Sequence, residues 1–430
     1  MKKVLYPAIN ETIYKKTLAN GLEVILLPKK DYHKTYGIFT TNYGSIDNDF
    51  IPLNESEYTK VPDGVAHFLE HKLFEKEDED VFQKFGKQGA SSNAFTSFTR
   101  TSYLFSSTDN VKQNILTLLD FVQDPYFTEE SVNKEKGIIE QEIQMYQDDP
   151  NWRLFFGILN NFYPKHPLHI DIAGSPESIN KITAEDLYLC YHTFYHPSNM
   201  NLFIIGNLNP EEMMALIEEN QMQKDFVPGQ NIERRFPEEL EKDIIKEDSI
   251  ELSVTRPKAI VGLKGLDPIP ENDLERITYQ TSIQLLLQIL FGVTSSHYLE
   301  MYNDGLIDDS FSFEFSMDRS FHFADFSTDT NNPEQFANQM VNLLLKSDKS
   351  PELTEKNVAL AKKKMIGKHL QSLDSLEYIA HQYSAMKFGD ITLFDLAKII
   401  ESITLQDLLR ARDQFIRPEA LSRFYIYPKS

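Results

Sequence analysis

The sequence predicts an α+β (mixed α/β) protein of two homologous domains, each a largely antiparallel sheet packed with helices. Three observations predict it: an internal repeat, an alternation of strand-like and helix-like stretches, and a composition able to fill two cores. Of 430 residues, 41% are hydrophobic and 25% charged, the balance of an ordinary globular chain rather than a disordered one. At roughly 150 residues per domain, that length allows two or three domains.

The repeat makes the choice. Residues 182–205 and 403–426 align without a gap at a constant offset of 221, matching Ile182/Ile403, Thr183/Thr404, Asp186/Asp407, Leu187/Leu408, Phe194/Phe415, Pro197/Pro418, Phe203/Phe424 and Ile205/Ile426. Each copy reads as an amphipathic helix, a proline stop and a strand. A second echo, Thr128 to Val132 against Thr354 to Val358, has an offset of 226, so one duplication with small insertions accounts for both.

Taken in order, Leu22 to Leu27 and Tyr36 to Asn42 are rich in β-branched and aromatic residues and read as strands. Gly64 to Leu73 reads as a helix, Ser92 to Ser107 as strands with a hairpin, and long helices follow. Hairpins favour antiparallel pairing, and one sheet with helices packed on it is the expected layering. Lys224 to Glu247 is rich in charge and carries Pro228, Gly229 and Pro237, the composition of an exposed linker. The expected division is residues 1–226 as a first domain, 227–246 as linker, and 247–430 as a homologous second domain.

With 65 acidic against 43 basic residues the net charge is −22. Such a surface repels phosphate backbones and anionic lipid, so neither a nucleic-acid nor a membrane partner is expected. The most apolar stretch, Ile283 to Val293, is interrupted by Gln284 and Gln288, too short and too polar for a membrane span. One cysteine, Cys190, permits no internal disulfide and suits a reducing compartment, so a cytoplasmic location is expected. No G-x-x-x-x-G-K phosphate loop occurs, which argues against an ATP-driven enzyme.

The chemistry concentrates at His67-Phe68-Leu69-Glu70-His71, an H-x-x-E-H pattern. On an α-helix two histidines four apart are rotated by about 40° and separated by roughly 6 Å, so both imidazoles can lean onto one metal ion. Glu70 falls on the same side, placed to hydrogen-bond a water at that metal. About 0.04 such patterns are expected by chance in a chain with 11 histidines. One helix face cannot surround a tetrahedral ion, so a third ligand must come from another element. Glu135 and Glu142 are seven apart on a helical stretch, rotated by about 20° and separated by roughly 10 Å; spacing does not rank them.

These residues resemble the M16 peptidases, the inverzincin family that includes insulin-degrading enzyme, pitrilysin and the mitochondrial processing peptidase. The resemblance covers nearly the whole chain. Within the family, the length, the phrase Glu70-His71-Lys72-Leu73-Phe74-Glu75-Lys76 and the phrase Phe194-Tyr195-His196-Pro197-Ser198-Asn199-Met200 are similar to the YmfH-like zinc peptidases of Gram-positive bacteria. The resemblance implies the M16 peptidase/LuxS-like metallohydrolase fold and one Zn2+ per chain, held by His67, His71 and Glu142, with Glu135 as a supporting catalytic carboxylate. It also implies that a strand carrying Asn93, Ala94, Phe95 and Thr96 receives the peptide as an added strand at a sheet edge.

The repeat tests which half carries the site, and the expectation is residues 1–226 as the catalytic, zinc-binding domain and 247–430 as the non-catalytic one. Adding 221 to His67 and His71 reaches Gln288 and Gly292, and adding 226 to Glu142 reaches Lys368, so the second half lacks every ligand. Family members also carry an Arg and a Tyr seven apart that hold the substrate backbone; aligned on Gly305-Leu306, those positions are Met301 and Asp308. Neither can do that job. A homologous M16-like partner subunit, or a second copy in a homodimer, is then expected to supply the pair. The expected function is a zinc endopeptidase subunit acting on unfolded peptides or small proteins, with Glu70 as general base. The alternative is a non-catalytic structural or peptide-capturing subunit.

Overall fold

Two strands in the middle of a sheet carry no charged residue. Met200–Gly206 and Thr35–Thr41 are buried along their whole length, covered on both faces, so they lack the in–out alternation of a half-exposed strand. The computed structural model describes residues 1–77, 80–386 and 391–429. They form two compact units, Met1–Gln144 with Ile170–Phe236 and Ser372–Lys387, and Met145–His169 with Pro237–Gln371 and Phe388–Ser430.

The first unit holds a seven-stranded sheet in the order Lys2–Tyr6, Glu11–Thr17, Glu23–Pro28, Met200–Gly206, Thr35–Thr41, Thr101–Ser107 and Ala90–Thr96. Glu23–Pro28 pairs with Met200–Gly206 in parallel, and the other neighbours are antiparallel. Ala90–Thr96 is an edge, bonded only to Thr101–Ser107.

The second unit repeats the last five positions of that order: Glu247–Leu252, Leu421–Pro428, Lys258–Lys264, Phe321–Asp329 and Ser312–Asp318. Its first pair is parallel and the rest antiparallel, so the duplication read from the sequence extends to the strand pairing. One face of this sheet meets the helices Asp273–Phe291, Pro333–Leu345 and Leu405–Phe415 in an apolar core.

The duplicated helices cross over between the halves of the sequence. Pro150–Phe162, from the first half, packs on Leu421–Pro428 and Lys258–Lys264 of the second unit. Leu376–Ala385, its counterpart at an offset of 226 from the second half, packs on Thr35–Thr41 and Met200–Gly206 of the first. Close approach makes the first contact possible: a Cβ built on Gly157 would lie 2.4 Å from the Phe424 ring. The charged segment after residue 226 is mostly exposed but fastened. Glu233 O accepts from Ile51 N at 3.0 Å, and Arg234 Nε donates to Asp47 Oδ1 at 2.9 Å.

Candidate metal centre

The first site helix, Val65–Leu73, starts at Gly64, whose φ of +89° few other residues adopt. A Cβ there would lie 2.4 Å from the Ala173 carbonyl oxygen, so the helix origin is fixed by a residue without one. Val65, Ala66, Phe68, Leu69 and Leu73 are buried and lock the helix, and their neighbours His67 and Glu70 are only 9% exposed. The second site helix, Glu129–Asp148, is anchored by buried Val132, Ile139 and Ile143. This spacing of apolar residues turns Glu135 and Glu142 toward the first helix.

The two helices bring together three of the residues singled out in the sequence. His67, His71 and Glu142 each offer one donor atom, all within 4.8 Å of one another, the one such group of three or more His, Cys, Asp or Glu among the described residues. Glu142 Oε1 lies 3.7 Å from His67 Nε2, and its Oε2 lies 3.5 Å from His71 Nε2. The imidazole centroids are 4.5 Å apart. Two imidazoles and a carboxylate are donors that Zn2+ accepts, and three of them leave a tetrahedral ion one open position, so the residues fit the metal.

Charge around this group is arranged for neutral and anionic donors. Burial, and then the neighbouring His71, push the His67 imidazole down to about 3, so at neutral pH it presents a lone pair rather than a proton. Burial also pulls His71 down, but its hydrogen bond to Glu135 Oε1 at 3.0 Å and the charges of Glu70, Glu142 and Glu135 outweigh it, and the net shift is upward. Burial raises the Glu135 carboxyl, but the bond to His71 together with the charges of His71, Lys72 and Lys134 outweighs it, so the group ends below the usual carboxylate value. A carboxylate on the far nitrogen of a ligand imidazole orients the ring and raises its basicity. His67 has no such support: its Nδ1 is buried with no hydrogen-bond partner among the described residues.

Glu70 faces the same space. Burial raises its carboxyl, the hydrogen bond from Thr96 and the charge of His71 lower it, and Glu142 adds to the rise; the net shift is upward. A cleft of about 560 Å³ opens beside it, lined by Glu70, His71, Glu135, Asn93 and Ala94 among others.

The four residues expected on the substrate strand take different positions. Asn93 and Ala94 line the cleft. The Thr96 hydroxyl donates to Glu70 Oε2 at 2.6 Å, and the Phe95 ring stacks on His381 at 5.2 Å. The sequence reading had no signal for either contact, because both partners are remote in sequence and the strand register decides them.

In the second unit, Met301 is 1% exposed within the apolar core, and Asp308 Oδ2 accepts from Arg256 Nη2 at 2.5 Å. Neither forms a substrate clamp. The neighbouring Tyr302 is exposed and donates its hydroxyl to Asp309 Oδ1 at 3.3 Å. His196 spends both ring nitrogens on Ser198 Oγ and the Val227 carbonyl.

Family models match both halves: Insulinase (Peptidase family M16) over residues 54–175, and Peptidase M16 inactive domain over residues 181–365. The chain is 50% identical over 430 residues, the whole of both chains, to the uncharacterized zinc protease YmfH of Bacillus subtilis. A crystal structure of a protein of Alicyclobacillus acidocaldarius described as an M16-like peptidase superposes with a TM-score of 0.93 at 35% identity, covering 97% of this chain and 99% of the other. A protease of Helicobacter pylori shares the fold, with a TM-score of 0.81 at 18% identity over 97% of this chain and 99% of the other. The chain belongs to the M16 peptidase family. Within it, the full-length identity to YmfH places it with the YmfH-like proteins. Among the described residues no helix is long and apolar enough to cross a membrane.

Proposed function

We propose that this protein is a zinc-dependent endopeptidase subunit that hydrolyses peptide bonds in unfolded peptides or small proteins. The observation that carries the proposal is the convergence of His67, His71 and Glu142 donor atoms within 4.8 Å beside a buried, inward-facing Glu70. His67, His71 and Glu142 would hold one Zn2+ per chain. When bound, the metal supplies Lewis acidity, polarising the scissile carbonyl and acidifying the attacking water.

The chain's own residues do the rest. Glu70 takes the proton of the attacking water and returns it to the leaving amine; its upward shift moves it toward the range where one carboxyl can do both. Thr96 holds one Glu70 oxygen and leaves the other to the reacting water. Glu135 keeps His71 in the tautomer that offers Nε2 to the metal. The outer edge of Ala90–Thr96 receives the peptide backbone as an added strand, with Asn93 and Ala94 at the cleft.

Residues 247–430 act as a non-catalytic domain: Gln288 and Lys368 stand at two of the repeated ligand positions, and a lysine ammonium has no lone pair for a metal. With Met301 in a core and Asp308 paired to Arg256, the backbone clamp comes from a homologous partner subunit or a second copy of this chain. The single cysteine, buried and unpaired, suits a cytoplasmic setting.

Purification from a native source with identification of co-eluting chains, followed by digestion of an unstructured peptide, tests this reading. The complex is expected to cleave the peptide and the isolated chain to cleave it poorly. Equal activity of the two removes the partner from the account, and binding without cleavage by the complex supports a peptide-capturing subunit instead.

A further inference from the structure

We propose that His381 is a positioning residue for the strand Ala90–Thr96, so that the second half of the sequence takes part in peptide binding through the helix Leu376–Ala385. The inference rests on the reading of that strand as the edge that receives the peptide. An edge strand has one ladder of hydrogen bonds instead of two, here to Thr101–Ser107 alone, so side-chain contacts decide how firmly it is held.

Successive side chains of a strand point to opposite faces. On one face, the Thr96 hydroxyl donates to Glu70 Oε2 at 2.6 Å. On the other, the Phe95 ring stacks on the His381 imidazole at 5.2 Å and 24°, with the Arg100 guanidinium 5.7 Å from the same ring. His381 is itself fixed, because its Nε2 shares a hydrogen bond with the Tyr36 hydroxyl at 2.8 Å. Tyr36 belongs to Thr35–Thr41, a central strand buried along its whole length. The helix carrying His381 is fastened by the ion pair of Glu377 with Lys34 and by Tyr383, whose ring lies 4.8 Å from that of Phe203.

A continuous line of contacts therefore runs from the middle of the sheet through Tyr36, His381, Phe95 and Thr96 to Glu70. Without the imidazole, Phe95 loses its stacking partner and keeps the Arg100 contact, so on that face the edge strand is held less firmly beside its single ladder. The peptide backbone would then meet a mobile edge, which costs affinity because the strand must be ordered at the moment of binding.

Hydrogen–deuterium exchange on the full-length, zinc-loaded chain tests the first link, and peptide kinetics in the hydrolysing preparation test the second. His381→Ala is expected to speed exchange of the amides of residues 90–96 about tenfold. It should raise KM about three- to tenfold with kcat within about twofold, the range that loss of one aromatic pair supports. Zinc content is expected to match wild type. His381→Phe keeps a ring against Phe95 and should bring exchange and KM back to within about twofold of wild type. Wild-type exchange at residues 90–96 in His381→Ala overturns the proposal. So does a KM rise that His381→Phe does not rescue, or one that comes with loss of zinc. If no preparation hydrolyses peptide, the peptidase reading falls by itself, and the exchange result alone decides whether His381 positions the strand.

Discussion

Glu135 and Glu142 look interchangeable in the sequence, two glutamates seven apart on one helix, and the fold gives them different neighbours. Glu142 faces both imidazoles, whereas Glu135 reaches only the far nitrogen of His71. Their replacements should therefore behave differently. Glu142→Ala removes one of three donors and is expected to abolish stoichiometric zinc, whereas Glu135→Gln should weaken zinc about 10- to 100-fold while leaving the site able to load at excess metal. Metal titration with a competing chelator measures both, and equal affinities in the two variants would contradict these roles. His67, Glu70 and His71 were legible from sequence because one helical turn fixes their geometry. Thr96 was legible only as part of a family motif. Its bond to Glu70 spans 26 residues and depends on the placing of a strand beside a helix, which no local pattern encodes.

At the scale of elements, the exchanged helices and one cross-strand pair carry the sharpest consequences. Pro150–Phe162 is expected to tolerate no side chain at residue 157, because the added Cβ meets a buried Phe424 ring. Gly157→Val should cost on the order of 1–3 kcal/mol, read as a lower denaturant midpoint at unchanged slope. In the second sheet, Asp325 sits directly opposite Glu314 and is 8% exposed; burial, then the Glu314 charge, push its carboxyl up to about 7. The folded protein thus keeps a proton that the unfolded chain releases near pH 4, so this group's contribution is fully present below about pH 4 and is lost as pH rises toward 7. Asp325→Asn should raise the melting temperature at pH 8 and flatten the decline between pH 4 and 7, as read by calorimetry; an unchanged pH profile would contradict the buried-carboxyl assignment. The strands were legible from their runs of β-branched and aromatic residues, and the repeat from direct comparison of the two halves of the sequence. The crossing of Pro150–Phe162 and Leu376–Ala385 was not, since an amphipathic helix does not state which of two similar sheets will cover its apolar face.

For the whole molecule, the duplicated sheets and the unequal halves belong together. Both halves keep the five-strand order, and one keeps the donors. The second half is therefore more than a spent copy: it supplies the helix that braces the first unit's sheet, and it uses its own Met301 for core packing where a clamp residue is expected. The net charge of −22 makes the chain acidic and adds no information about the reaction. The central proposal is that peptide hydrolysis runs through Glu70 beside a zinc held by His67, His71 and Glu142. The most direct test is the turnover of an unstructured fluorogenic peptide by wild type and Glu70→Gln, each purified with its co-eluting chains and matched in zinc content. The expected result is full zinc in both and turnover at least about 10²-fold slower in Glu70→Gln; equal turnover at equal zinc would contradict the account.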